Sequence, residues 1–371
     1  MAKTLPLVPA LLPGRPMSCQ LCVQPSIAGV ALEWQQLPLL PNRAGLGGPY
    51  AGVSHGSLLV AGGTNFPQAA PCEGGQKAWY DTVYGLSQIR GEWAIVGQLP
   101  RPLAYGVSLT APEGMVCLGG SDALQHYQDA FVVECDGARI RVKSLPPLPQ
   151  PMVNGSGAML GKTLYIAGGI ERPDSTHVLR TFWALDLAAR QPVWQELEPW
   201  PGPARMLAVA AVQGGAFFLV SGVDLSIDDK GKLVRHYLRD VYRYEPRAGW
   251  ARKADIPRAA VAAPSPAPPW GHTQFLVLSG DDGTNIGFQP PERHPGFAKN
   301  ILAYDTRTDA WAEIGQVPTT QVTVPAVAWQ NHCVLPNGEM RPGVRTPEVW
   351  CLSLLSALPL GILPKDDLFI T

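Results

Sequence analysis

Leu58-Leu59-Val60-Ala61-Gly62-Gly63 is a short apolar run that ends in two residues without bulk, and the chain repeats it. Close copies follow at Val116-Cys117-Leu118-Gly119-Gly120 and Leu164-Tyr165-Ile166-Ala167-Gly168-Gly169. Looser copies lie at Phe218-Leu219-Val220-Ser221-Gly222, Leu276-Val277-Leu278-Ser279-Gly280 and Cys333-Val334-Leu335-Pro336-Asn337-Gly338. The last small residue falls at positions 63, 120, 169, 222, 280 and 338, at intervals of 57, 49, 53, 58 and 58 residues. Apolar runs this short, bounded by turn residues, have the length of buried strands. Their period, near 50 residues, is that of an array of equivalent units.

The rest of each unit repeats too. Upstream lies a strand of small residues: Tyr50 to Val53, Tyr105 to Ser108, Gly155 to Ala158, Leu207 to Ala210, Ala260 to Ala263 and Pro325 to Ala328. Downstream lies a strand with aromatic or β-branched residues: Val83-Tyr84, Phe131-Val132, Phe182-Trp183, Val241-Tyr242, Leu302 to Tyr304 and Val349-Trp350. A fourth strand is usually marked by Trp and closed by Pro, as in Trp93 to Pro100, Trp194 to Pro199, Trp250 to Pro257 and Trp311 to Pro318; the second unit offers Ile140 to Pro146 instead. A lone four-stranded sheet cannot cover both its faces, but sheets packed radially cover one another. The pattern predicts an all-β chain folded as a six-bladed Kelch-type β-propeller, with four antiparallel strands, a to d, in each blade. Trp34-Gln35-Gln36-Leu37-Pro38 reads as a d strand with no a–b–c before it, and the last unit lacks a d strand. The N-terminal segment is therefore expected to supply the outer strand of the last blade, which removes an open edge. The expected organisation is an N-terminal extension over residues 1–28, one propeller over 29–356 and a C-terminal tail over 357–371.

Composition agrees with this plan. Gly (39) and Pro (38) are spread along the 371 residues as repeated turn chemistry. Charged residues are 16% and the net charge is −1 without a basic block, so the electrostatic footprint of a nucleic-acid binder is missing. No run approaches the ~18 continuous apolar residues of a membrane-spanning helix. The seven cysteines are odd in number and scattered, several within apolar strands, which favours buried thiols and a reducing, cytoplasmic compartment. Cys19-Gln20-Leu21-Cys22 is the one CxxC, with no second pair at zinc spacing. Pro6, Pro9 and Pro13 interrupt the apolar start of the chain, which makes it a poor secretory signal.

In such a propeller the b–c and d–a loops emerge on one face. The b–c loops Thr64 to Ala78, Asp224 to Arg239 and Asp281 to Lys299 are long, as on a binding face. Asn65, Asp122, Glu171, Asp224, Asp281 with Asp282, and Glu339 follow the small pairs and are expected to ring the channel mouth. Arg101, Asn154, Arg205 and Arg258 approach it from the d–a loops. The sharpest feature is Asn337-Gly338-Glu339-Met340-Arg341-Pro342-Gly343-Val344-Arg345, where a Pro-Gly turn brings Glu339 and Arg345 to the same place. That spacing is also met by an ion pair that only stabilises the loop.

This segment resembles the active-site segment of the N-acetylneuraminate (sialic acid) mutarotases, or epimerases. Gly62-Gly63-Thr64-Asn65-Phe66-Pro67, Glu73-Gly74-Gly75 and His294-Pro295-Gly296-Phe297 look like the cyclically permuted branch of that family. The resemblance runs from about Trp34 to Leu352. It implies a cofactor-free isomerase acting on a small sugar acid, with Glu339 as the catalytic carboxylate, Arg345 as the essential arginine, and Asn65, Asn154 and Arg205 holding the sugar. It carries no implication of a metal, a nucleic acid or a membrane, and it leaves the oligomeric state open. Better-known members work in the periplasm, against the compartment read from the cysteines. The alternative is a non-catalytic Kelch module that binds protein or carbohydrate, because fold alone does not settle function. A copper-radical oxidase would need paired histidine ligands, and a sialidase its Ser-x-Asp repeat; neither pattern is present in the sequence.

Overall fold

The computed structural model describes residues 21–24 and 32–353, with side chains from residue 32 onward. Six antiparallel sheets follow one another along the chain, joined as a propeller. The first blade is Tyr50–Ser54, Ser57–Ala61, Thr82–Leu86 and Ala94–Gln98, and the second Val107–Ala111, Gly114–Leu118, Ala130–Cys135 and Ile140–Ser144. The third is Ser156–Leu160, Thr163–Ala167, Phe182–Asp186 and Gln195–Leu197. The fourth is Val209–Gln213, Ala216–Val220, Val241–Glu245 and Gly249–Lys253. The fifth is Pro269–Trp270, Gln274–Leu278, Asn300–Asp305 and Ala310–Gln316. The sixth runs Val327–Trp329, His332–Arg341 and Val344–Ser353, and its d strand is Leu32–Leu37 from the other end of the chain. Trp34 pairs with Leu352 and Leu37 with Val349, so the ring closes as the unpaired Trp34 segment predicts. Leu21–Gln24 adds a fifth strand outside it. That strand falls within the expected extension; the rest of residues 1–28, including Cys19, and the expected tail lie outside the described residues.

The small pairs are the seams between blades. A Cβ on Gly62, Gly119 or Gly168 would lie 2.2–2.3 Å from the carbonyl oxygen of Leu103, Met152 or Arg205 in the next d–a loop. The second glycine of each pair donates its N–H to that same carbonyl, at 2.8–2.9 Å. Small residues are needed here because two backbones meet. The tryptophans latch the rim. The indole N–H of Trp93, Trp194, Trp250 and Trp311 donates to the carbonyl of Pro38, Pro146, Glu198 and Ala254, each at the end of the preceding blade's d strand. Between the seams, side chains of adjacent blades interleave, as where Phe218 of the fourth blade meets Phe275 of the fifth at 5.1 Å between ring centroids. Full burial of one such ring is worth about 1.5–3 kcal/mol.

One strand differs from the expectation. The a strand of the fifth blade is Pro269–Trp270, not Ala260 to Ala263. Pro266, Pro268 and Pro269 carry no N–H, so the ladder is cut to two residues. Ala260 to Ala263 belongs instead to a second, smaller ring. Gly48, Tyr105, Asn154, Leu207, Ala262 and Thr323, one before each a strand, all adopt left-handed φ between 54° and 63°. Each donates its N–H to the carbonyl of the preceding member at 2.8 Å, and Gly48 donates to Thr323, which closes a cycle of six backbone hydrogen bonds around the axis.

These contacts set a stability order. Gly161 is also left-handed (φ 63°), but a Cβ there would meet nothing within 4 Å. Gly161→Ala is expected to cost only the left-handed backbone penalty, roughly 1–2 kcal/mol. Gly119→Ala adds a clash with a backbone carbonyl and should cost clearly more. Urea denaturation of the two variants measures the difference, and equal midpoints would contradict the seam assignment.

Candidate active site at the channel mouth

The hydrogen-bonded cycle narrows the channel to a cavity of about 70 Å³, lined in part by Tyr105, Asn154, Leu207 and Thr323. The mouth above the cycle is where the b–c loops meet.

Backbone bridges fix what surrounds that space. The residue before each cycle member pairs with the residue just after each small pair: Gly47 with Thr64, Ala104 with Ser121, Val153 with Ile170, Met206 with Val223, Val261 with Asp281 and Val322 with Glu339. The equivalent positions at the mouth are therefore Thr64, Ser121, Ile170, Val223, Asp281 and Glu339. Asn65, Asp122, Glu171, Asp224 and Asp282, expected in this ring, sit one residue further on, and successive residues of an extended chain point to opposite sides. The mouth carries two carboxylates at these positions. Asp281 accepts the Tyr237 hydroxyl at 2.6 Å and the Gly283 N–H at 3.0 Å. Burial, with the Asp281 carboxylate beside it, holds the Tyr237 phenol well above its ordinary range.

Glu339 is held less tightly. Its Oε1 accepts the Gly343 N–H at 2.7 Å across the Pro342-Gly343 turn. Its Oε2 lies 3.4 Å from Nη2 of Arg345, its register partner on the facing strand. A strong guanidinium–carboxylate contact is nearer 2.7–2.9 Å, so this pair is loose. The Arg345 side chain is only 4% exposed and Glu339 14%. The guanidinium lies 4.8 Å from the Phe66 ring centre, and its Nη2 is 3.5 Å from the Tyr105 hydroxyl. Its buried Nε and Nη1 have no hydrogen-bond partner in the protein. Buried donors of this kind call for a ligand or ordered water. Two glycines make the space. A Cβ on Gly47 would lie 2.8 Å from Arg345 Nε, and one on Gly48 would lie 2.4 Å from the Tyr105 ring.

The other sequence-derived residues divide. Asn154 is a member of the cycle and lines the axial cavity. Asn65 is buried and its amide is fully used: it donates to Asn42 and to the Gly45 carbonyl and accepts from Tyr80. It braces the loop that carries Gly47 rather than facing a ligand. Arg205 is a clear correction. It is 0% exposed, pairs with Asp240 at 2.6 Å, donates to the Ser221 carbonyl, and packs against the rings of Trp200 and Tyr242. It staples the fourth blade and cannot reach the mouth. Arg258 likewise donates to the carbonyls of Ser279 and Asn300, and Arg101 pairs with Asp129. Sequence reading gave no role to Phe66 and Lys77, from the b–c loop of the first blade, or to Tyr105, from the next d–a loop. The one available signal was Gly47-Gly48, a small pair outside the repeat.

Residues 19–142 match the family described as N-acetylneuraminate epimerase. The chain resembles the N-acetylneuraminate epimerases. One such epimerase, of Yersinia pestis, is 39% identical over 107 residues, covering 25% of this chain and 27% of that protein. That of Salmonella typhi is 41% identical over 104 residues, with 25% and 27% covered. The match thus spans about a quarter of the length of these curated relatives. A solved structure titled "Structure of YjhT" has a TM-score of 0.61 at 14% identity, over 85% of this chain and 97% of that one, which is a likeness of fold. The stretch matched to the epimerase family contains Phe66, Lys77 and Tyr105 and ends before Glu339 and Arg345.

The staple role of Arg205 is testable. Arg205→Ala leaves Asp240 buried without its counter-ion and is expected to lose about 3–5 kcal/mol of stability in denaturant titration. A loss below about 1 kcal/mol would contradict the staple role.

Proposed function

We propose that this chain is a sialic acid mutarotase, interconverting the α and β anomers of N-acetylneuraminate by acid/base ring opening and closure. The observation that carries the reading is the loose Glu339–Arg345 pair above the closed cycle, with buried Arg345 donors left without a partner. The likeness to N-acetylneuraminate epimerases supports the choice of sugar.

The chemistry suits these two side chains. The substrate is a cyclic hemiketal with a carboxylate on its anomeric carbon. Opening requires a proton to leave the anomeric hydroxyl and a proton to reach the ring oxygen as the bond between that oxygen and the anomeric carbon breaks. The open form is a keto acid. Rotation presents the other carbonyl face to the same hydroxyl, and closure reverses both proton transfers. The proton count is unchanged, so no redox partner is required. On opening, Glu339 takes the proton from the anomeric hydroxyl and delivers it to the ring oxygen as the bond breaks, and on closure it carries the proton back the other way. Positioned general acid–base catalysis typically contributes ~10²–10⁴-fold. Arg345 binds the substrate carboxylate through a planar fork that Lys cannot reproduce. Glu339 keeps its place meanwhile through the Gly343 N–H. Asn154, at the floor of the mouth, is the remaining sequence-derived candidate for holding the sugar.

The test follows α-N-acetylneuraminate, freshly released by a sialidase, by NMR of its anomeric signals. The protein should speed the approach to equilibrium, Glu339→Gln should lose ~10²-fold or more in kcat, and Arg345→Lys should raise KM. Saturable binding without acceleration would favour a carbohydrate-binding module. Full activity in Glu339→Gln would remove the role given to that residue.

A further inference from the structure

Lys77 is a cation with an unusual set of neighbours. It lies beside the two-residue strand Ala78–Trp79, in the long b–c loop of the first blade. Its Nζ sits 5.1 Å from the Tyr105 ring centre, 5.4 Å from that of Trp79 and 5.9 Å from that of Phe66. Among the described residues no carboxylate lies within 4.0 Å of it. It donates to the Tyr105 hydroxyl at 3.3 Å, the same oxygen that lies 3.5 Å from Arg345 Nη2. Thr64 shares that oxygen too, at 2.8 Å. Two cations therefore converge on one hydroxyl, and Phe66 contacts both of them.

This arrangement is costly unless something negative joins it. Arg345 and Lys77 repel each other, and of these two cations Glu339 contacts Arg345 alone, through a long pair. Aromatic faces hold a cation without neutralising it. The cluster thus keeps one positive charge in excess beside the buried, unpartnered Arg345 donors. The surface round the Tyr105 hydroxyl gathers donors from Lys77 and Arg345 between aromatic walls, the pattern of an anion site.

We infer that Lys77 and the Tyr105 hydroxyl complete the anion clamp, so that the substrate carboxylate is held by Arg345, Lys77 and Tyr105 together. The inference rests on the mutarotase reading and adds two substrate-binding residues to it. Lys77 contributes binding in ground and transition states alike, so its loss acts on KM more than on kcat. Tyr105 has a second duty, because its backbone belongs to the hydrogen-bonded cycle. Substrate recognition and the floor of the site are coupled through that residue.

The experiment measures binding of N-acetylneuraminate and of its uncharged methyl ester by calorimetry, alongside mutarotation, for the wild type, Lys77→Met and Lys77→Arg. Thermal melts establish that each variant is folded. The expected result is a loss of about tenfold or more in affinity for the acid in Lys77→Met, little change for the ester, kcat within a few-fold of wild type, and substantial recovery in Lys77→Arg. If Lys77→Met binds the acid within about twofold of an active wild type, the inference is overturned and the mutarotase reading stands. Equal losses for acid and ester show a merely structural lysine and also overturn it. A wild type that neither binds nor accelerates removes the mutarotase reading and this inference with it.

Discussion

The cycle of six backbone hydrogen bonds through Gly48, Tyr105, Asn154, Leu207, Ala262 and Thr323 is the constraint from which the rest follows. Each member sits in left-handed backbone, a conformation that costs a non-glycine residue roughly 1–2 kcal/mol. Five of the six are not glycine, and Thr323 is β-branched, so the strain is considerable. It persists because every member both donates and accepts within the cycle, and because its neighbour is bridged to the strand end beyond. Releasing one member would break two hydrogen bonds of the cycle at once. The cycle therefore fixes the height and spacing of six equivalent positions, Glu339 among them. It also lines the axial cavity below the mouth.

Function then depends on how the six equivalent positions are filled. Ile170 and Val223 make one side of the mouth apolar, and Thr64, Ser121, Asp281 and Glu339 make the other polar. Asp281 is committed to Tyr237, so Glu339 is the carboxylate left with a loose partner. The sixth blade runs its b and c strands, His332–Arg341 and Val344–Ser353, on without a break into a long hairpin, where the fourth blade's extension, Val223–Ile227 with Leu233–Tyr237, is a separate ladder. The long hairpin places Arg345 opposite Glu339 and against the first blade. Gly47 and Gly48 give the guanidinium and the Tyr105 ring somewhere to lie. The blade closed by the N-terminal strand is thus also the blade that supplies both proposed reacting groups.

The repeat was legible in sequence because its cause is local. Gly62, Gly119 and Gly168 are small where the next blade's carbonyl arrives, and the d-strand tryptophans reach back to the preceding blade. Closure by Trp34 was legible because an unpaired outer strand and a missing one must match. What failed were inferences needing the sense of a side chain. Asn65 lies one residue past the position that faces the mouth, and an extended chain reverses direction at every residue. Arg205 looked like a loop residue near the mouth, but its charge is matched by Asp240, 35 positions away in sequence. Ala260 to Ala263 looked like a strand, yet the prolines behind it displaced the ladder and left these residues to the cycle. Phe66 and Tyr105 stood in quoted segments and Lys77 only inside a long loop, and their shared role was not legible because their proximity exists only once two loops are folded together.

The most direct measurement is a crystal structure of the protein with N-acetylneuraminate bound. The account predicts a sugar lying above the cycle, its carboxylate on Arg345 within reach of the Tyr105 hydroxyl, and its anomeric carbon next to Glu339. A sugar bound elsewhere would contradict it, most plainly one seated in the larger apolar cavity of about 420 Å³ at the opposite end of the a strands, among Met159, Val212 and Pro266.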